Sequence, residues 1–132
     1  MDFKIIDTLT PYFDIERLGV KLVVSPRHDD IVLLTGPITR ESLPKVIRAL
    51  KAVPRPRIVV VIGSCAVGGG VWWDTYSTLG EFPKLQEILK QYGVELDRVV
   101  YVPGCPARPE AIRLTISIRL YRAESFENSK NC

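Results

Sequence analysis

Ile58-Val59-Val60-Val61-Ile62-Gly63 is the stretch that decides the fold. Five β-branched residues in a row, stopped by a glycine, leave no polar position to face water and so predict a central parallel strand covered on both faces. The flanking segments carry the covers. Upstream, Leu43, Val46, Ile47 and Leu50 fall at the i, i+3, i+4, i+7 spacing of one helical face, with Thr39 as cap and Pro54 and Pro56 as the stop. Downstream, Leu85, Ile88, Leu89 and Tyr92 repeat that spacing, and Gly93 ends it. Ile31 to Thr35, closed by Gly36-Pro37, reads as a second buried strand and Val99 to Val102 as a third. The β-branched run Val20 to Val24 predicts one more. Asp2 to Leu18 reads as a helix interrupted at Pro11, which lacks an N–H and disfavours helix in the residue before it. A last helix opens at Pro109 and Glu110, where a missing donor costs nothing and a carboxylate suits the dipole, and runs to about Arg122. Strands alternating with helices predict a three-layer α/β fold around a parallel sheet with right-handed crossovers. Residues 1–123 form its one domain, and the polar residues 124–132 form a frayed tail.

With 132 residues the chain is long enough to bury a core without disulfide or metal staples. Its net charge of +3 is spread without a basic run, so the electrostatic footprint of a nucleic-acid binder is absent. The apolar stretch Ile58 to Gly63 is too short to cross a bilayer, and Met1 onward shows no charged-then-apolar leader. The expected location is the cytoplasm, peripheral to a membrane at most through a partner. Three cysteines, Cys65, Cys105 and Cys132, form no close pair and argue for reduced thiols rather than a disulfide framework.

Ligands of open parallel sheets bind outside the carboxyl ends of the strands. Cys65 follows the strand 58–62 by a Gly-Ser step, and Cys105 follows the strand 99–102 by a Pro-Gly step, so two strands deliver a cysteine to one rim. Taken singly, each cysteine reads as a small buried hydrophobe; taken together they suit a soft metal or an iron–sulfur cluster. A zinc site usually needs close ligand pairs, which neither has. A cysteine nucleophile needs a base, and His28, the single histidine, sits on another loop. Gly68-Gly69-Gly70 has neither the lysine of a phosphate-binding loop nor the spacing of a dinucleotide fingerprint, and reads as a flexible loop. Trp72 and Trp73 beside it either anchor a partner or pack in the core. Arg27, Asp29 and Asp30 read as a solvated turn. Arg108, just after Cys105, is placed to favour an anionic group held there.

Four blocks occur in a specific order: Ser25-Pro26-Arg27-His28-Asp29-Asp30, then Leu33-Leu34-Thr35-Gly36-Pro37-Ile38-Thr39, then Gly63-Ser64-Cys65, then Tyr101-Val102-Pro103-Gly104-Cys105-Pro106-Ala107-Arg108-Pro109-Glu110. In these the chain resembles the family shared by NiFe-hydrogenase small subunits and their counterpart in complex I, the NADH-quinone oxidoreductase. It is most similar to the small subunits of group 4 energy-converting hydrogenases. The resemblance extends to about Arg122. It implies a flavodoxin-like domain holding one 4Fe-4S cluster, with Cys65 and Cys105 as the third and fourth ligands, and Arg108, Arg27, His28, Trp72 and Trp73 around the site or at an interface. It further implies a large catalytic subunit and a ferredoxin-like iron–sulfur subunit as partners, with membrane-arm subunits reached indirectly.

One departure accompanies the resemblance. The family's first two ligands lie in an N-terminal loop ahead of a segment similar to Asp2 through Gly19, and Met1 stands where the second would fall. The expectation is a shortened chain that lacks two thiolates and the family's first strand. A subunit split over two polypeptides and a cluster-free docking subunit are the alternatives, with an unrelated enzyme using Cys65 as nucleophile as a further rival.

Overall fold

The computed structural model of the chain describes residues 2–23 and 25–118. Its centre is a parallel sheet of β1 (Ile31–Thr35), β2 (Ile58–Ile62) and β3 (Arg98–Val102), in the order β1-β2-β3. The unbroken β-branched strand is the middle one, as its sequence requires. Register pairs Ile31 with Ile58 and Ile58 with Arg98, and at the other end Thr35 with Ile62 and Ile62 with Val102. All three strands therefore finish at a common rim.

Alternation along β2 divides the core into two halves. Val59 and Val61 pack against Ile47 and Leu50 of α2 (Leu43–Ala52) and Phe82, Leu85 and Leu89 of α4 (Phe82–Gln91). Val60 and Ile62 pack on the opposite side against Ile112 and Ile116 of α5, which is described over 109–118, with Ile5 of α1 (Asp2–Thr8) closing that layer. Val59 through Ile62 are at most 1% exposed, and burying a side chain of this size contributes about 1.5–3 kcal/mol. The three layers of the α/β fold are thus present. No helix among the described residues is long and apolar enough to cross a membrane.

Local chemistry explains the helix ends. The N-cap of α2 is Ser42 rather than the expected Thr39: the Thr39 amide donates to Ser42 Oγ at 3.0 Å and the Ser42 amide donates to Thr39 Oγ1 at 3.2 Å, a reciprocal pairing that organises the turn before the helix instead of capping it. Beyond α4 the Gly93 amide donates to the Lys90 carbonyl at 3.0 Å and the Val94 amide to the Leu89 carbonyl at 2.9 Å, which closes the helix where the glycine predicted. The interruption at Pro11 also stands: α1 ends at Thr8, and a 3-10 turn follows at Ile15–Leu18.

Three further expectations are corrected. Residues 20–23 form no strand, because they find no ladder partner along β1; Val24 lies outside the described residues. The glycine-rich segment is not an irregular loop throughout: it begins with α3 (Ser64–Gly68) and continues in a 3-10 turn, Gly70–Trp72. Tyr92 is 55% exposed, so the buried face of α4 ends at Leu89. The expected end of the last helix near Arg122, the tail 124–132 and Cys132 fall outside the described residues.

Candidate functional site: a two-cysteine rim at the sheet's carboxyl end

Backbone hydrogen bonds continue past the ends of β2 and β3 and hold the two following turns side by side. The Gly63 amide donates to the Val102 carbonyl at 2.8 Å, and the Ser64 amide donates to the Gly104 carbonyl at 3.0 Å. The Gly104 amide returns a bond to Ser64 Oγ at 3.3 Å. Cys65 and Cys105 are the next residue on each side, so the pairing that builds the sheet also delivers both thiols to the rim. Both are free; Cys65 is half-buried and Cys105 exposed.

Close backbone approach shapes each cysteine's surroundings. At Gly104, with φ +135°, an added Cβ would lie 2.8 Å from Ala107 Cα. That absence of a side chain lets the chain fold back to bury Ala107 while leaving Cys105 in solvent. At Gly70 an added Cβ would lie 3.0 Å from Cys65 Sγ. The Arg108 carbonyl accepts from the Ala111 and Ile112 amides at 3.0 and 3.2 Å, which starts α5 at Pro109, four residues after Cys105, and leaves the Arg108 side chain exposed.

Trp72 and Trp73 face outward, 52% and 58% exposed, which removes core packing as their role. Their loop is nevertheless held firmly. The Trp72 carbonyl accepts from the Thr75 hydroxyl at 3.1 Å and from the buried Thr78 hydroxyl at 2.9 Å, and Trp73 Nε1–H donates to Glu81 Oε1 at 3.2 Å. Val71 and Tyr76 are both 87% exposed, and the Arg40 guanidinium lies 4.9 Å from the Tyr76 ring centre. An aromatic surface thus adjoins the cysteine rim.

Arg27 and His28 are placed elsewhere. Their 3-10 turn, Pro26–His28, packs on α2 and leads into the start of β1, and the strand's length of roughly 13 Å separates that end from the rim. Both side chains are exposed. His28 and Asp29 also line a groove of about 610 Å³ beside β1, together with Ile5, Leu9, Ile15 and Leu33.

The residues present fit half of a cluster site. The two cysteine-bearing turns lie side by side on one rim, and the backbone at Gly70 lies where a side chain would crowd the Cys65 sulfur, a cradle suited to a bulky inorganic group. A [4Fe-4S] centre takes four cysteines, and among the described residues no group of three or more His, Cys, Asp or Glu is gathered. Ser64, Arg40 and Thr78 escape a sequence reading, since each acts through a partner that only the folded chain brings close.

Residues 2–118 match the family described as NADH ubiquinone oxidoreductase, 20 Kd subunit. A probable membrane-bound hydrogenase subunit of Pyrococcus furiosus is 46% identical over 115 residues, covering 84% of this chain and 60% of the relative. Formate hydrogenlyase subunit 7 of Escherichia coli is 41% identical over 110 residues, covering 83% of this chain and 39% of the relative. Among solved structures, a chain of the membrane-bound sulfane sulfur reductase, an archaeal respiratory membrane complex, superposes with a TM-score of 0.68 at 32% identity, over 84% of this chain and 57% of that one. The chain spans between 39% and 60% of the length of these proteins.

Proposed function

The chain belongs to the NADH ubiquinone oxidoreductase 20 kDa subunit family, and from that premise we propose that it is an electron-transfer subunit of a membrane-associated hydrogenase or complex I-like oxidoreductase. In this reading Cys65 and Cys105 hold iron of a 4Fe-4S cluster next to the NiFe or quinone site of a large subunit. The observation that carries it is the pair of hydrogen bonds between Ser64 and Gly104, which sets the two cysteine-bearing turns side by side on one rim. A bound cluster supplies the one-electron redox change. The remaining work belongs to the chain. Ser64 and Gly104 hold the ligand-bearing turns in register. Arg108 brings a permanent positive charge close to an anionic centre and favours its reduced form. Trp72 and Trp73 provide desolvatable aromatic area for a partner that covers the rim.

The partners in this reading are a large catalytic subunit, a ferredoxin-like iron–sulfur subunit and, indirectly, membrane-arm subunits, with the chain held at the cytoplasmic face of the membrane by them. Two further thiolates would come from a longer form of the chain or from a second polypeptide. A second reading, a cluster-free docking subunit of the same kind of complex, is favoured by the count of only two thiols at the rim among the described residues.

The test is an EPR measurement on the complex purified anaerobically from its source, before and after addition of hydrogen or a quinol. A reduced-cluster signal that grows with the electron donor, fades with its acceptor and is lost on Cys65→Ala supports the relay. A complex with all its subunits intact whose signals are unchanged by Cys65→Ala leaves the docking role.

A further inference from the structure

Gly69 and Gly70 look interchangeable in the sequence, but the structure gives them different neighbours. An added Cβ at Gly69 would meet Trp73, at 3.2 Å from its Cα and 3.3 Å from Cδ1. At Gly70 the three atoms nearest an added Cβ would all belong to Cys65, with Sγ at 3.0 Å, Cα at 3.2 Å and the amide nitrogen at 3.3 Å. Gly68, one residue earlier, has nothing within 4 Å of such an atom. Gly69 at φ +80° and Gly70 at φ +53° both sit in the left-handed region where any L side chain is strained, so that strain is shared and only the neighbours tell the two glycines apart. Gly70 is therefore the position at which a side chain is opposed chiefly by a cysteine.

We propose that Gly70 is a positioning residue for Cys65: its bare backbone sets where the Cys65 sulfur rests and keeps one flank of that sulfur open to the metal centre it ligates. The proposal rests on the reading of Cys65 as a cluster ligand. A methyl group at position 70 takes up space against Sγ, so the thiol must rotate or be covered. Rotation moves a ligand atom by a few tenths of an ångström or more and covering closes the flank a metal would approach, and either disturbs a centre whose four sulfurs must converge.

The experiment compares Gly70→Ala with Gly69→Ala and Gly68→Ala in the full 132-residue chain under reducing, metal-free conditions, with the maleimide labelling rates of Cys65 and Cys105 read by peptide mapping. Cys65 labelling relative to Cys105 should fall about tenfold in Gly70→Ala alone, because thiol reactivity follows access to the sulfur. An unchanged ratio, or an equal fall in Gly69→Ala, overturns the proposal. If Gly70→Ala does not fold, it is combined with Cys65→Ala: recovery of folding on removal of the sulfur supports the proposal, and no recovery assigns the defect to the backbone and overturns it. Labelling needs no cluster, so its outcome is independent of the iron content that decides whether Cys65 is a ligand.

Discussion

Ser64 and Gly104 are bonded to each other twice, by the Ser64 amide to the Gly104 carbonyl at 3.0 Å and by the Gly104 amide to Ser64 Oγ at 3.3 Å, across forty residues of sequence. Each immediately precedes a cysteine. The geometry of the candidate centre is thereby a by-product of strand pairing: β2 and β3 run in parallel register to Ile62 and Val102, and the bonding continues into the turns that carry the thiols. A site built this way is preorganised by the core, because moving Cys65 away from Cys105 means breaking the sheet's carboxyl end.

Ser64→Ala removes one of those two bonds and keeps the other. The half-buried Gly104 amide then loses its acceptor, which costs about 1 kcal/mol of stability. Denaturant unfolding of the full chain measures that loss, and Cys105, no longer fixed through its neighbour, should label faster with a maleimide. A variant as stable as the parent, with unchanged labelling, means the hydroxyl does not hold the turn.

Trp72→Ala and Trp73→Ala leave folding nearly untouched and weaken assembly. Both rings are more than half exposed, so Trp72→Ala stays within about 0.5 kcal/mol of the parent in denaturant unfolding, and Trp73→Ala, which also loses the exposed bond to Glu81, within about 1 kcal/mol. In an affinity purification of the complex, the large subunit is recovered in reduced yield with either variant. Full recovery with both excludes the aromatic surface from the interface.

Arg108→Gln and Arg27→Gln separate two cations that the family resemblance groups together around the site. Arg108 is exposed three residues after Cys105, whereas Arg27 precedes the far end of β1. Loss of a positive charge near an anionic centre favours its oxidised form, so Arg108→Gln shifts the cluster's midpoint potential to more negative values in an EPR-monitored titration and Arg27→Gln leaves it in place. An equal shift in both variants contradicts this assignment.

Much of this architecture is legible in the sequence because it depends on local patterns. The β-branched row of β2, the helical spacing of Ile47 with Leu50 and of Leu85 with Leu89, and the glycine after α4 each announce their element without reference to the rest of the chain. Val20 to Val23 shows the limit of that reasoning. Strand preference describes fit to a pleated surface with neighbours, and this run lines the groove beside β1 without pairing to it. The helix at Ser64–Gly68 is hidden by the glycines around it, and the exposure of the tryptophans by a rule that large aromatics are usually buried. In the candidate site, two cysteines after two strands point to the rim; the hydroxyl that ties them together does not, since nothing near Ser64 in the sequence refers to Gly104.

Whether Cys65 and Cys105 hold a cluster is decided by iron and acid-labile sulfide analysis with EPR of the dithionite-reduced complex, purified anaerobically from its source with the native chain, with Cys65→Ala and with Cys105→Ala. A 4Fe-4S centre requires about four irons attributable to this chain in the native complex, and their loss together with its EPR signal in each variant. Native iron content in either variant, or an intact native complex without the iron and the signal, contradicts the account.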